Sequence, residues 1–68
     1  MTDSKIIEKS YARTFGTAEG KRVIAHLRFI TIERFLGPDA SDAQLRALEG
    51  GRTLVHQIER MIERGKQN

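Results

Sequence analysis

The sequence has no cysteine, so no disulfide can staple it. It has no tryptophan and only four other aromatic rings, one Tyr and three Phe, so few large side chains are available to anchor a core. Its two histidines, His26 and His56, have no thiol beside them, which excludes the usual structural zinc sites. The single proline, Pro38, leaves the rest of the chain free to form uninterrupted helices. No apolar run reaches the length of a membrane span and no leader-like segment stands out, so a soluble protein made in the cytoplasm is expected. At 68 residues the chain is one small domain, residues 1–68, of a size that is marginal alone. With disulfide and metal removed from the options, tight helix packing and association remain as sources of stability.

What the sequence does have is charge and helical periodicity. Charged residues make up 31%, and 12 Lys+Arg against 9 Asp+Glu leave a net +3. That balance permits nucleic-acid contact without demanding it. Apolar side chains recur at helical spacing in three stretches. The first, residues 4–15, carries Ile7, Tyr11 and Phe15 four apart and stops at Gly16. The second, residues 18–35, comes after Thr17 as N-cap, with Glu19 in the first turn, and is expected to end before Gly37 and Pro38. The third, residues 42–64, opens with the capping box Ser41-x-x-Gln44 and is expected to end at Gly65. The fold class is therefore all-α: an antiparallel helical hairpin of two long helices with a short N-terminal helix.

The two long segments are patterned differently. In the third, Ala47, Leu48, Leu54, Val55, Ile58, Met61 and Ile62 fall on one arc and charged residues fill the other, with Leu45 as an outlier. The second is apolar on two sides, with Val23, Ile24, Leu27 and Ile30 on one and Ala25, Phe29, Ile32 and Leu36 on the other. A helix with two apolar stripes is normally sandwiched between neighbours, and one antiparallel partner can cover only one of them. Ala25, Phe29, Ile32 and Leu36 are accordingly the expected partner interface. The pair Gly50–Gly51 sits inside the third segment, where each glycine costs roughly 0.8–1.0 kcal/mol relative to alanine. The apolar arc keeps its phase across the pair, which argues for one continuous helix. Gly51 lies near the centre of the arc with Leu48, Val55 and Ile58, a packing seam where the missing side chain lets another helix's backbone come close or a large side chain such as Phe29 or Phe35 sit over it; Gly50 lies at its edge.

No catalytic constellation, cofactor motif or metal-ligand set is present. "GTAEGKR" is not a phosphate loop, because no Ser or Thr follows the lysine and no strand precedes the stretch. A helix-turn-helix is disfavoured by the long connection "LGPDAS". Lys21, Arg22, Arg28 and Arg34 form the least diluted basic set, the candidate nucleic-acid contacts, but they spread around the helix instead of lining one edge. On the third segment Arg52, His56, Arg60 and Arg64 step along the polar side, interleaved with Glu49, Glu59 and Glu63, as on a solvated surface.

Two stretches, "YARTFGTAEGKRVIAHL" and "GGRTLVHQIERMI", together resemble the Bbp-type small tailed-phage domain family, known from a Bordetella short-tailed phage. Phe15, Thr17, Gly20, Val23 and Ile24 fit its pattern of Phe-x-Thr-x-x-Gly, a basic residue, any residue, Val and a hydrophobic residue. Gly51, Arg52, Leu54, Val55 and Ile58 fit its Gly-Arg and apolar-helix pattern. Ala18 stands where the family often has proline, and Thr53 where it often has a second basic residue. The resemblance spans Tyr11 to Ile62. It implies a phage morphogenesis protein without enzymatic activity, found in the virion and made in the host cytoplasm. Its expected partner is a portal, head or connector protein, or itself, and no cofactor is implied. The alternative from another class is a small nucleic-acid-binding or regulatory helical protein.

Overall fold

The computed structural model describes residues 3–67. Three helices account for most of it: α1 (Ser4–Gly16), α2 (Ala18–Ile30) and α3 (Asp42–Gln67). No strand occurs among the described residues, and the protein is all-helical. Asp3 starts α1, its carboxylate accepting from the Lys5 amide at 2.9 Å. The capping box at Ser41 forms as its sequence implies. The Gln44 amide donates to the Ser41 hydroxyl at 3.1 Å, and the Ser41 amide donates to the Gln44 side chain at 2.8 Å. Helix α3 then runs unbroken through Gly50 and Gly51.

Two boundaries differ from expectation. The second helix ends at Ile30 instead of near residue 35. The β-branched run Ile30-Thr31-Ile32 weakens the helix there. The Thr31 hydroxyl turns back to the Leu27 carbonyl at 2.6 Å, and the Glu33 amide donates to the Arg28 carbonyl at 3.0 Å, closing a wider turn than the helix uses. The third helix continues through Gly65 to Gln67, because Gly65 is a packing contact and not a stop. The described residues therefore form one long helix and two of thirteen residues each.

The packing is set by these lengths. Helix α1 lies along the C-terminal part of α3, with Ser4, Ile7 and Glu8 facing Gln57, Arg60, Met61 and Arg64 across a shallow cleft. The chain reverses at Thr17, and α2 runs back along α3 so that Arg28 reaches Glu59 and Thr31 reaches Gly51. The pairing of α1 with α3 is more extensive than that of α2 with α3. Among described residues only Val55, at 3% exposure, is a buried hydrophobic residue.

The result is thin and open. Its extents are 44 × 30 × 15 Å. The radius of gyration is 14.3 Å, against about 11 Å for a compact domain of this length. The accessible surface is 5357 Å², against about 4300 Å² for a compact monomer of this mass.

Candidate functional site

Both signature stretches fold into helix junctions. At the first, a single residue, Thr17, caps two helices. Its hydroxyl donates to the Thr14 carbonyl at the end of α1 (3.1 Å) and accepts from the Gly20 amide at the start of α2 (2.9 Å). Gly20 is buried, and a Cβ there would overlap the Thr14 carbonyl and lie 2.6 Å from the Phe15 Cα. The Thr-x-x-Gly spacing is thus what a one-residue corner requires: a capping hydroxyl, and three positions later no side chain.

At the second junction, Gly51 and Arg52 act on the end of α2. A Cβ on Gly51 would sit 3.1 Å from the Thr31 methyl, so the missing side chain makes room for Thr31, not for Phe29 or Phe35. The next residue grips what the helix end releases. Arg52 Nε donates to the Thr31 carbonyl at 3.0 Å, one terminal nitrogen donates to the Arg34 carbonyl at 2.6 Å, and the other holds Glu49 at 2.9 Å. Carbonyls at a helix end lack intrahelical partners. Here a guanidinium fork from another helix satisfies two carbonyls beyond α2 at once.

Gly65 reads in the sequence as a helix stop, and the structure gives it a different role. It is buried against α1, and a Cβ there would overlap the Glu8 carbonyl and come within 2.8 Å of the Ala12 Cβ. The sequence does carry a signal for this: Gly51, Ile58 and Gly65 are seven apart and share one face of α3. Of the expected packing seam, Val55 is buried, and Leu48, Gly51 and Ile58 are half-buried.

The expected interface residues do not form one stripe. Ala25 and Phe29 lie exposed on α2, with Phe29 at 65% and stacked on His26 at 6.5 Å between ring centroids. Ile32 and Leu36 lie beyond the helix and are half-buried, and Leu36 lines a cleft with Ile30, Ala47 and Leu48. Phe35, at 89% exposure, is a large apolar residue in the connection to α3.

The basic set is also divided. Arg22 pairs with Glu19. Arg28 holds Glu59 at 2.5 Å and lies 3.8 Å from Glu33. Lys21 lines a cleft with Phe15, Ile24 and Ile62. The Arg34 carbonyl is bound by Arg52. A wide, open concavity on α3 is lined by Thr53, His56, Glu59, Arg60, Glu63 and Arg64. His56 lies 3.7 Å from Glu59 there and is largely exposed. No group of three His, Cys, Asp or Glu able to hold a metal occurs among the described residues. No helix of the described residues is long and apolar enough to cross a membrane.

A small all-helical domain with junctions built from its signature residues, and with much of its apolar surface outward, is the class of protein that these features define. The model of the Bbp19-like phage protein family matches residues 11–66, and the chain belongs to that family. No curated protein and no solved structure matches it.

Proposed function

We propose that this phage protein is a non-enzymatic component of the virion or of its assembly, associated with the head or portal, and that it works by presenting apolar helix surface to a larger protein or to copies of itself. The observation that carries the reading is apolar surface left outward around α2, with Phe29 and Phe35 foremost, on a molecule whose surface exceeds that of a compact monomer by roughly 1000 Å². Large apolar side chains left outward on so small a domain point to interaction. The motif residues support it indirectly: Thr17, Gly20, Gly51 and Arg52 are occupied in holding helices at fixed angles, as a rigid adaptor needs. Nucleic-acid binding is the weaker alternative, since Arg22 and Arg28 are already neutralised by carboxylates.

Mass spectrometry of gradient-purified virions tests the placement, with the chain expected at a fixed ratio to the portal protein. Complementation with Phe29→Ser and with Phe35→Ser is expected to lower that ratio at least tenfold while the purified variants stay helical. Full incorporation of both variants would sink the apolar-surface mechanism; absence of the chain from virions and from assembly intermediates would sink the placement.

A further inference from the structure

The chain beyond α2 winds like a helix pulled out of register. Thr31, the C-cap, sits at φ −126° and ψ −77°, away from helical values. Past it the Glu33 amide donates to the Arg28 carbonyl, five residues back, and the Arg34 amide to the Thr31 carbonyl, three back, at 3.3 Å. An α-helix spans four. The sequence weakens the helix here without forbidding it. No glycine or proline falls between Gly20 and Gly37, and Ala25, Phe29, Ile32 and Leu36 keep helical phase to residue 36. The contact that stands in the way is Arg52. The Thr31 carbonyl, which accepts from Arg52 Nε at 3.0 Å, is the acceptor that the Phe35 amide needs in a continued helix.

Two adjacent side chains fix what continuation changes. Leu36 now lies in a cleft with Ile30, Ala47 and Leu48, while Phe35 is 89% exposed. On a continued α2, Phe35 stands about 40° round from Thr31, at four residues' separation. That is the side on which Thr31 meets Gly51 and Arg28 holds Glu59, so Phe35 turns onto α3 near Leu48. Leu36 turns out to join Phe29 and Ile32. We propose that residues 31–36 have two positions and that the Arg52 fork selects between them. In the captured position Leu36 packs on α3 and Phe35 points outward. In the other, α2 continues through Leu36, Phe35 replaces Leu36 against α3, and Ala25, Phe29, Ile32 and Leu36 line up as one outward stripe. The positions are closely balanced, because each packs one large apolar side chain on α3 and gives the Thr31 carbonyl one donor. Pro38 disfavours helix at Gly37, so continuation stops at Leu36 and leaves residues 37–41 to reach Asp42, an ordinary length for a helix–helix connection. The fork is thus an intramolecular contact that withholds the stripe. The inference rests on the proposed function only for the use of that stripe. Both positions are read on purified protein, so a failed latch leaves virion placement standing, and the reverse.

NMR of the labelled chain reads the two positions. In the wild type, Leu36 methyl groups are expected near Ala47 and Leu48. Arg52→Ala is expected to move the Cα shifts of residues 32–35 to helical values and to exchange the Leu36–Leu48 contact for one between the Phe35 ring and Leu48. Unchanged shifts in α1 and at Gly65 show that the fold survives. Amides at Glu33 and Arg34 exchange faster in either position once the fork is gone, because the last turn of a helix frays, so the shifts and ring contacts are the readout. Adding Phe35→Ser to Arg52→Ala removes the residue that the continued helix buries and should reverse most of the shift change. Leu36→Ser, which empties the cleft with the fork intact, should move the same shifts in the same direction and serves if Arg52→Ala does not fold. Wild-type or random-coil shifts at residues 32–35 in the folded variant would overturn the proposal. A continued helix with Phe35 still in solvent, or one indifferent to Phe35→Ser, would overturn the exchange of Phe35 for Leu36.

Discussion

The glycines of α3 show that a residue's effect depends on what lies opposite. Helix propensity alone ranks alanine above glycine at Gly50, Gly51 and Gly65 equally. The surroundings separate the three: open space, the Thr31 methyl at 3.1 Å, and the backbone of α1. Gly50→Ala is expected to be neutral or to stabilise by up to about 1 kcal/mol. Gly51→Leu is expected to cost about 1–3 kcal/mol, because the Thr31 side chain is tied to Leu27 by its hydroxyl and cannot swing aside cheaply. Gly65→Ala should be at least as damaging despite adding a single methyl group, since the atom in its way is main chain. Thermal melts of the three variants give the order, and equal tolerance at positions 50 and 65 would remove the close-approach explanation.

Among the elements, α2 is held by its ends. Its N-terminus hangs on Thr17 and its C-terminal turn on Arg52. A lysine at position 52 keeps the charge but loses the planar fork that bridges two carbonyls. Arg52→Lys is therefore expected to lose most of what Arg52→Ala loses, about 1.5–2 kcal/mol, the lower part of the range for hydrogen bonds to charged groups, because these bonds are partly solvated. Faster amide exchange at Glu33 and Arg34 should accompany the loss. A lysine variant as stable as the wild type would show that charge near the helix end, and not the fork, holds it. The ion pairs Arg28–Glu59 and Arg64–Glu8 also bridge helices, but partly exposed pairs of this kind contribute at most about 1 kcal/mol each.

For the molecule as a whole, shape and charge make separable expectations. A slab 15 Å thick with one buried hydrophobic residue among those described has little core of its own. Its cooperative stability should therefore rise with protein concentration, as mass action requires when partners bind only the folded form. Its cations are spread and partly paired, so no appreciable duplex-DNA retention is expected at physiological salt. A gel-shift titration across salt checks this, and tight binding that falls steeply with salt, as counterion release demands, would favour the nucleic-acid alternative.

Local chemistry made much of this legible in the sequence. Thr17 as a cap, the Ser41–Gln44 box and an unbroken helix through Gly50–Gly51 all depend on neighbours within four residues, and all three are present in the structure. Thr17, Gly20, Gly51 and Arg52, on which the family resemblance rests in part, sit at junctions where few residue types fit. The early end of α2, the pairing of α1 with α3 and the burial of Gly65 were settled only by the tertiary structure. Periodicity marks which side of a helix is apolar, but not which helix covers it or for how many turns. A stripe through Phe29, Ile32 and Leu36 requires α2 to continue to residue 35. Once Arg52 of α3 captures the Thr31 and Arg34 carbonyls, those three residues no longer share a helix, and that capture joins positions 21 and 18 residues apart.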